Sequence, residues 1–430
     1  MKNNNTMKSK ILYLCLFVAF LSMQISAQIA SGYEVADWSG YRTCAVTYTF
    51  DDNSAKQFTV VQPIFDKYGY KMTFFVITKK ITSWTNYVNA ANNGHEIASH
   101  TVNHIRMDTM DIVRQDAELK NSKELIISKT DSKCLTMSYP NCALADRATT
   151  QKYYIAARSC AGTIVPKTPT DFYRISSIST GNASTSYMQT VKQFNDKVNS
   201  AKSSKGWCVF LTHSIDDEAG YSPTKSDTIA KHLEYIWQND DIFWVASFGH
   251  IVKYIRERNA LSISEIMINQ NSYKFSVTDN LDNSIFNVPV TIKRMLPSTW
   301  TNAKIYQNDE LLPSKIVTFE NNKYVIFDII PDNGDAILNN SAETKVIPIV
   351  DSKTFTVAPN PFTKDIQIIS SDIFHYSIYT LDGRLSEAGE GNGRKNIGLS
   401  LPSGIYLLKI VSENSMSEKK IIKTVGNLFD

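Results

Sequence analysis

The 430-residue chain lacks a charge imbalance: 45 Lys and Arg against 42 Asp and Glu leave a formal +3 at pH 7. No basic stripe breaks this balance, which removes the electrostatic case for a nucleic-acid partner. No C-x-x-C pair is present, so a cysteine zinc site is not expected. After the first 27 residues no apolar run is long enough to span a bilayer. The chain also lacks low-complexity tracts and internal repeats. What remains is the composition of an ordinary folded protein, rich in Tyr, Phe, Ser, Thr and Asn, and long enough for two or three domains.

The N-terminus reads as an export signal. Lys8 and Lys10 precede the apolar run from Ile11 to Leu21, and Ser26-Ala27 offers a small-residue cleavage site before Gln28. Its removal leaves Cys44, Cys134, Cys142, Cys160 and Cys208, an odd set that implies buried free thiols with room for one disulfide.

From Cys44 to about Arg258, short β-branched runs alternate with amphipathic stretches. The expected strands are 45–50, 72–77, 95–99, 135–139, 154–158, 207–212 and 243–247. The expected helices cover 55–68, 110–128, 188–203, 225–238 and 250–258. Alternation at this spacing predicts an α/β fold, an irregular (β/α) barrel of about seven strands. Such barrels carry their active sites at the carboxyl ends of the strands. Asp51 and Asp52 follow the first strand, His100 the third, Pro140 and Asn141 the fourth; Arg158 ends the fifth and His213 follows the sixth.

After Arg258 the texture becomes all-β. Residues 259–340 predict a small sandwich, 341–353 a linker, and 354–430 a second small sandwich. With the signal at 1–27 and the barrel at 28–258, these are the expected domain boundaries.

The chemistry gathers on Ser99-His100-Thr101-Val102-Asn103-His104. Two histidines four apart share a face when the backbone between them turns, and one carboxylate completes a facial metal site with open positions. Asp52 can supply that carboxylate, and Asp51 beside it a base. Each residue alone also has an ordinary role: Asp51 or Asp52 as a turn or cap residue, His213 as a packed core histidine. His95 reads as structural, and His232 and His250 as packing or solvent-facing.

Thr49-Phe50-Asp51-Asp52, Phe74-Phe75-Val76, Gly94-His95-Glu96-Ile97 and His100-Thr101-x-x-His104 together resemble the polysaccharide deacetylase family with the NodB homology domain (carbohydrate esterase family four) over roughly residues 42–258. The resemblance implies that Asp52, His100 and His104 hold a divalent metal, Zn2+ being the expected ion and other transition metals the alternatives. It implies Asp51 as the catalytic base and His213, in Leu211-Thr212-His213, as the catalytic acid. In that chemistry a metal-activated water attacks an acetyl carbonyl, a carboxylate takes the water's proton, and an imidazole protonates the leaving group.

The third motif departs from the family's R-x-P-Y-G. Ser138-Tyr139-Pro140-Asn141-Cys142 puts Ser138 in place of the Arg and Asn141 in place of the Tyr. A backbone donor survives a side-chain change, so the Asn141 N–H remains the implied oxyanion donor. Arg158, at the end of the next strand, is the candidate replacement for orienting the base. No Asp-Trp motif is evident to tune His213, which leaves Asp171 and Asp216 as candidates. Among the aromatics Tyr139, Trp207, Trp237 and Trp244, most belong to a core; Tyr139 is taken as a substrate-binding residue because aromatic faces stack on sugar rings.

Val357-Ala358-Pro359-Asn360-Pro361-Phe362, Tyr379-Thr380-Leu381-Asp382-Gly383-Arg384 and Leu401-Pro402-Ser403-Gly404-Ile405-Tyr406 resemble the C-terminal sorting domain of type IX secretion. That resemblance implies the type IX machinery as a partner and the surface or medium of a Gram-negative cell as the destination. The expected function is a secreted metal-dependent hydrolase removing N- or O-acetyl groups from a polysaccharide. The alternative is an inactive barrel acting as a surface glycan-binding protein. No nucleic-acid partner is expected, and no transmembrane segment once the signal is removed.

Overall fold

A computed structural model describes residues 28–340, 355–381, 383–412 and 416–424. The expected export signal and linker lie outside the described residues. In chain order, β1 (Tyr33–Val35) precedes β2 (Cys44–Asp51), β3 (Thr73–Val76), β4 (Glu96–Ser99), β5 (Thr136–Ser138), β6 (Ala156–Arg158), β7 (Ile178–Ser179), β8 (Trp207–Thr212) and β9 (Phe243–Val245).

Strands β2 to β9 form an eight-stranded sheet in the order β6-β5-β4-β3-β2-β8-β7, with β9 beside β2. Its ladders are parallel. All eight residues of β2 are buried, as a strand covered on both faces must be. The strand absent from the sequence reading is β7. Two residues leave no periodicity to detect. The segment leading into β7 also meets β6: Arg158 bridges Ile175, and Ser159 N donates to Ile175 O at 2.7 Å. The two sheet edges are thereby tied together, and the barrel nearly closes.

Six α-helices connect these strands, α1 (Gln62–Asp66), α2 (Thr85–Asn92), α3 (Ile112–Thr130), α4 (Arg147–Gln151), α5 (Val191–Ser204) and α6 (Ser226–Gln238), and α7 (Phe248–Ala260) follows β9. The helix expected over 55–68 is instead a π-turn at Gln57–Val61 followed by α1. Pro63 has no N–H to continue an α-helical ladder there. Caps fix the longer helices: Asp111 accepts from Arg114 N, and Thr190 with Gln193 forms a capping box on α5.

The middle region folds as β10 (Ser262–Asn269), β11 (Ser272–Thr278), β12 (Val290–Met295), β13 (Lys304–Gln307), β14 (Glu310–Leu312), β15 (Ser314–Phe319), β16 (Asn322–Ile329) and β17 (Ala336–Asn339). Two antiparallel sheets result, β1-β12-β16-β15 and β10-β11-β17-β13-β14. Strand β1 thus comes from ahead of the barrel and pairs Tyr33 with Arg294. One apolar core runs without a break from Trp38, Trp207 and Phe248 of the barrel region to Phe275, Val290 and Ile292 of the sandwich.

The C-terminal region holds β18 (Thr356–Ala358), β19 (Ile366–Thr380), β20 (Leu385–Ile397), β21 (Gly404–Ser412) and β22 (Met416–Lys423). These make one five-stranded antiparallel sheet. A register shift between Ile369 and Ile373 bends the long β19, and the sheet encloses its own core of Phe355, Phe362, Ile368, Phe374 and Leu408. Among the described residues, no helix is long and apolar enough to cross a membrane.

Candidate active site

The parallel strands aim their carboxyl ends at one mouth of the barrel, and the candidate residues gather there. Strand β2 ends on Asp51, and the chain then turns through Asp52 and Asn53 with φ of 71° and 67°. Asn53 holds this turn with a side-chain pair: its Oδ1 accepts from Ile77 N at 2.8 Å and its Nδ2 donates to Ile77 O at 3.1 Å. After β4, the His100–His104 loop is fixed by Glu118 of α3, which accepts from Val102 N and Asn103 N, both at 2.9 Å.

Asp52, His100 and His104 offer ligand atoms that all lie within 4.8 Å of one another. Asp52 Oδ1 stands 3.3 Å from His104 Nε2 and 3.7 Å from His100 Nε2. His100 Nδ1 donates to Ser138 O at 2.9 Å, which leaves Nε2 as the lone-pair nitrogen. Burial pushes the His100 imidazole well below its ordinary pKa, so the ring is neutral. Asp52 Oδ1 is buried without a hydrogen-bond partner. A carboxylate oxygen and an imidazole lone pair facing each other with no donor between them fit a divalent cation, and one carboxylate with two imidazoles suits zinc or a neighbouring transition metal.

Asp51 is 2% exposed, and its two oxygens differ. Oδ2 pairs with Arg158 Nη2 and lies 3.5 Å from His100 Nε2, while Oδ1 has no hydrogen-bond partner. Arg158 is itself fixed: Nη1 donates to Ser177 Oγ at 3.0 Å, and the guanidinium lies over the Phe75 ring. Burial lowers the Arg158 pKa against the pull of Asp51. Ser138 occupies a different post, its hydroxyl 2.6 Å from His100 Nδ1.

His213 follows β8. Its Nδ1 is buried without a partner, and Tyr221 meets the ring edge-on at 4.8 Å. Burial lowers the His213 pKa, opposed by the carboxylates of Asp51 and Asp52. Neither aspartate considered for tuning bonds His213 Nδ1: Asp171 pairs with Arg147, and Asp216 accepts from Ser226 N and Oγ. Asn141 sits in the turn after β5 with φ 54°. Tyr139 requires correction. Its side chain is 3% exposed within the barrel core, so it has no face to offer a sugar. Trp207 and Trp244 are likewise buried. His95 accepts from Met72 N and contacts Asp66, and His232 lies between Tyr48 and Asn195; both are packed core residues.

Two neighbours of the site escape the sequence. Gln57 is 1% exposed, and its Nε2 donates to Asp51 O at 2.6 Å and His213 O at 2.9 Å. Tyr221, half exposed, bonds Tyr187 through their hydroxyls at 3.1 Å. A lone Gln or Tyr carries no motif, so no local signal marks either.

Residues 41–156 match the polysaccharide deacetylase family, and residues 356–424 match the secretion system C-terminal sorting domain. The chain is therefore similar to the deacetylase family over part of its barrel. It is 28% identical over 321 residues to a gellan lyase of Bacillus sp, covering 70% of this chain and 13% of that relative. It is 30% identical over 100 residues to YxkH of Bacillus subtilis (strain 168), named as a polysaccharide deacetylase, covering 22% of this chain and 36% of that relative. The chain therefore spans only 13% and 36% of the length of these curated relatives. A solved family 4 acetyl xylan esterase from Clostridium thermocellum, in complex with a cobalt ion, is 17% identical with a TM-score of 0.36; the match covers 48% of this chain and 89% of that one. The deacetylase match ends at residue 156, so Arg158 and His213 lie beyond it.

Proposed function

We propose that the barrel is a secreted, metal-dependent hydrolase that removes acetyl groups from a polysaccharide. One observation carries this reading: a partly buried Asp52–His100–His104 donor set stands beside Asp51, whose Oδ2 is held by Arg158 and whose Oδ1 has no partner. A bound divalent ion, zinc the expected one, supplies Lewis acidity towards the acetyl carbonyl and lowers the pKa of water. Asp51 Oδ1 accepts the proton of the attacking water, with Arg158 holding the carboxylate in place. The Asn141 backbone N–H stabilises the negative charge on the carbonyl oxygen. His213 gives its proton to the departing amine nitrogen or alkoxide oxygen as the acyl bond breaks, and acetate is released. The sorting domain supports delivery by the type IX machinery to the surface or medium of a Gram-negative cell.

The altered third motif favours a second reading, an inactive glycan-binding barrel. Arg158 on Asp51 and Ser138 on His100 weigh against it, because each supports a group that a binding protein does not need. Acetate release from chitooligosaccharides, peptidoglycan and acetylated xylan, with and without chelator, separates the two. Release that chelator and Asp52→Ala both abolish is expected. Release insensitive to both excludes the metal mechanism, and no release from any substrate despite bound metal favours glycan binding.

A further inference from the structure

The segments that carry Asn141 and Arg158 meet at the edge of the barrel sheet, where backbone pairing is short. Strands β5 and β6 share three register pairs, ending at Ser138 opposite Arg158. Tyr139 N donating to Arg158 O at 3.2 Å follows the last of them. Past that point no backbone hydrogen bond joins the two segments among the described residues. One enters the Pro140–Cys142 turn, in which Asn141 and Cys142 take φ of 54° and 58°, the left-handed region that favours glycine. Its own bonds are local: Cys142 N donates to Tyr139 O at 3.1 Å and Ala143 N to Pro140 O at 3.0 Å.

A covalent link spans this gap. Cys142 and Cys160 form a disulfide, with their Cα atoms 5.8 Å apart. It joins the residue after Asn141 to the second residue after Arg158. The remaining described cysteines, Cys44, Cys134 and Cys208, are free and buried. Cys142 is exposed, so hydrophobic packing does not account for its place there.

We propose that the Cys142–Cys160 disulfide is a positioning element of the active site. It holds the turn that presents the Asn141 N–H at a fixed separation from the strand end that presents Arg158. This rests on the deacetylase reading given above. Without the bond, two non-glycine residues in left-handed conformation are kept only by turn hydrogen bonds, and the donor drifts from the place where charge develops. The metal donors sit on other segments, after β2 and β4, and keep their ion.

The test uses the full chain with Cys142→Ser/Cys160→Ser. Acetate release should fall in kcat by at least about tenfold, the scale expected for a displaced catalytic group, with KM little changed and metal content equal to wild type. Cys142→Gly/Cys160→Ser should recover roughly fivefold of the loss, because glycine takes the left-handed conformation without strain. Hydrogen exchange should rise at residues 141–143 while β5 and β6 stay protected. Wild-type kcat in the serine pair, or unchanged exchange at 141–143, would overturn the proposal. If wild type releases no acetate, the deacetylase reading has failed, and the exchange measurement alone still decides whether the bond fixes the turn.

Discussion

Arg158 and Asp51 are 2% and 3% exposed at their side chains, and a buried ion pair of this kind is felt most when one partner is removed. Arg158→Lys keeps the charge but loses the planar fork that reaches Asp51 and Ser177 together. Turnover should drop by roughly 10- to 100-fold with metal content unchanged, a loss on the scale seen for groups supporting a metal site. Undiminished turnover would remove Arg158 from the machinery. Arg158→Met leaves the Asp51 charge uncompensated, and urea unfolding should show a loss of about 3–5 kcal/mol. At this scale the sequence was legible where chemistry is linear. Asp51-Asp52 and His100-x-x-x-His104 carry their spacing with them. Tyr139 misled because an aromatic beside a site and an aromatic beneath it look alike until burial is known.

Gln57 lies on the irregular π-turn that replaces the first turns of the expected helix. That irregularity lets a buried amide reach the carbonyls of Asp51 and His213, joining the end of β2 to the end of β8. Gln57→Leu strips the donor and leaves both carbonyls in place. Each one left unsatisfied costs about 1–3 kcal/mol, to be read from the urea midpoint. Acetate release should fall in kcat more than KM rises, since Asp51 and His213, the proposed base and acid, separate before substrate binding is touched. An unchanged kcat would reduce Gln57 to a core residue. Strands such as β2 and β8 were legible because both are dense in β-branched and aromatic residues and bounded by breaks in that pattern. The two-residue β7 and the weakly apolar α2 were not, because Ile178-Ser179 and Tyr87 with Ala90 leave too little periodicity to mark an element.

Across the whole molecule, barrel and sandwich share one core, and Glu257 of α7 stands at their join. Its Oε1 accepts from Val288 N at 3.0 Å, and burial, with Asp279 nearby, raises its pKa from 4.5 to about 8. A carboxyl with a raised folded pKa binds its proton better in the native state. Its stabilising contribution is therefore present below about pH 4.5 and is lost as pH rises through about 8. The thermal midpoint should fall across that window, and Glu257→Gln should flatten that part of the profile. An unchanged slope in the variant would assign the dependence elsewhere.

Strand β1 adds a constraint of time. Tyr33 pairs with Arg294, and the intervening stretch of about 260 residues takes roughly 13–52 s to synthesise at ordinary rates. All the barrel strands are made in that interval, so the barrel sheet can form while β1 is still without its partner β12. Pairing at such sequence separation is slow, and an open apolar edge is the exposed element while it waits. The first strand made is thus among the last to find its place.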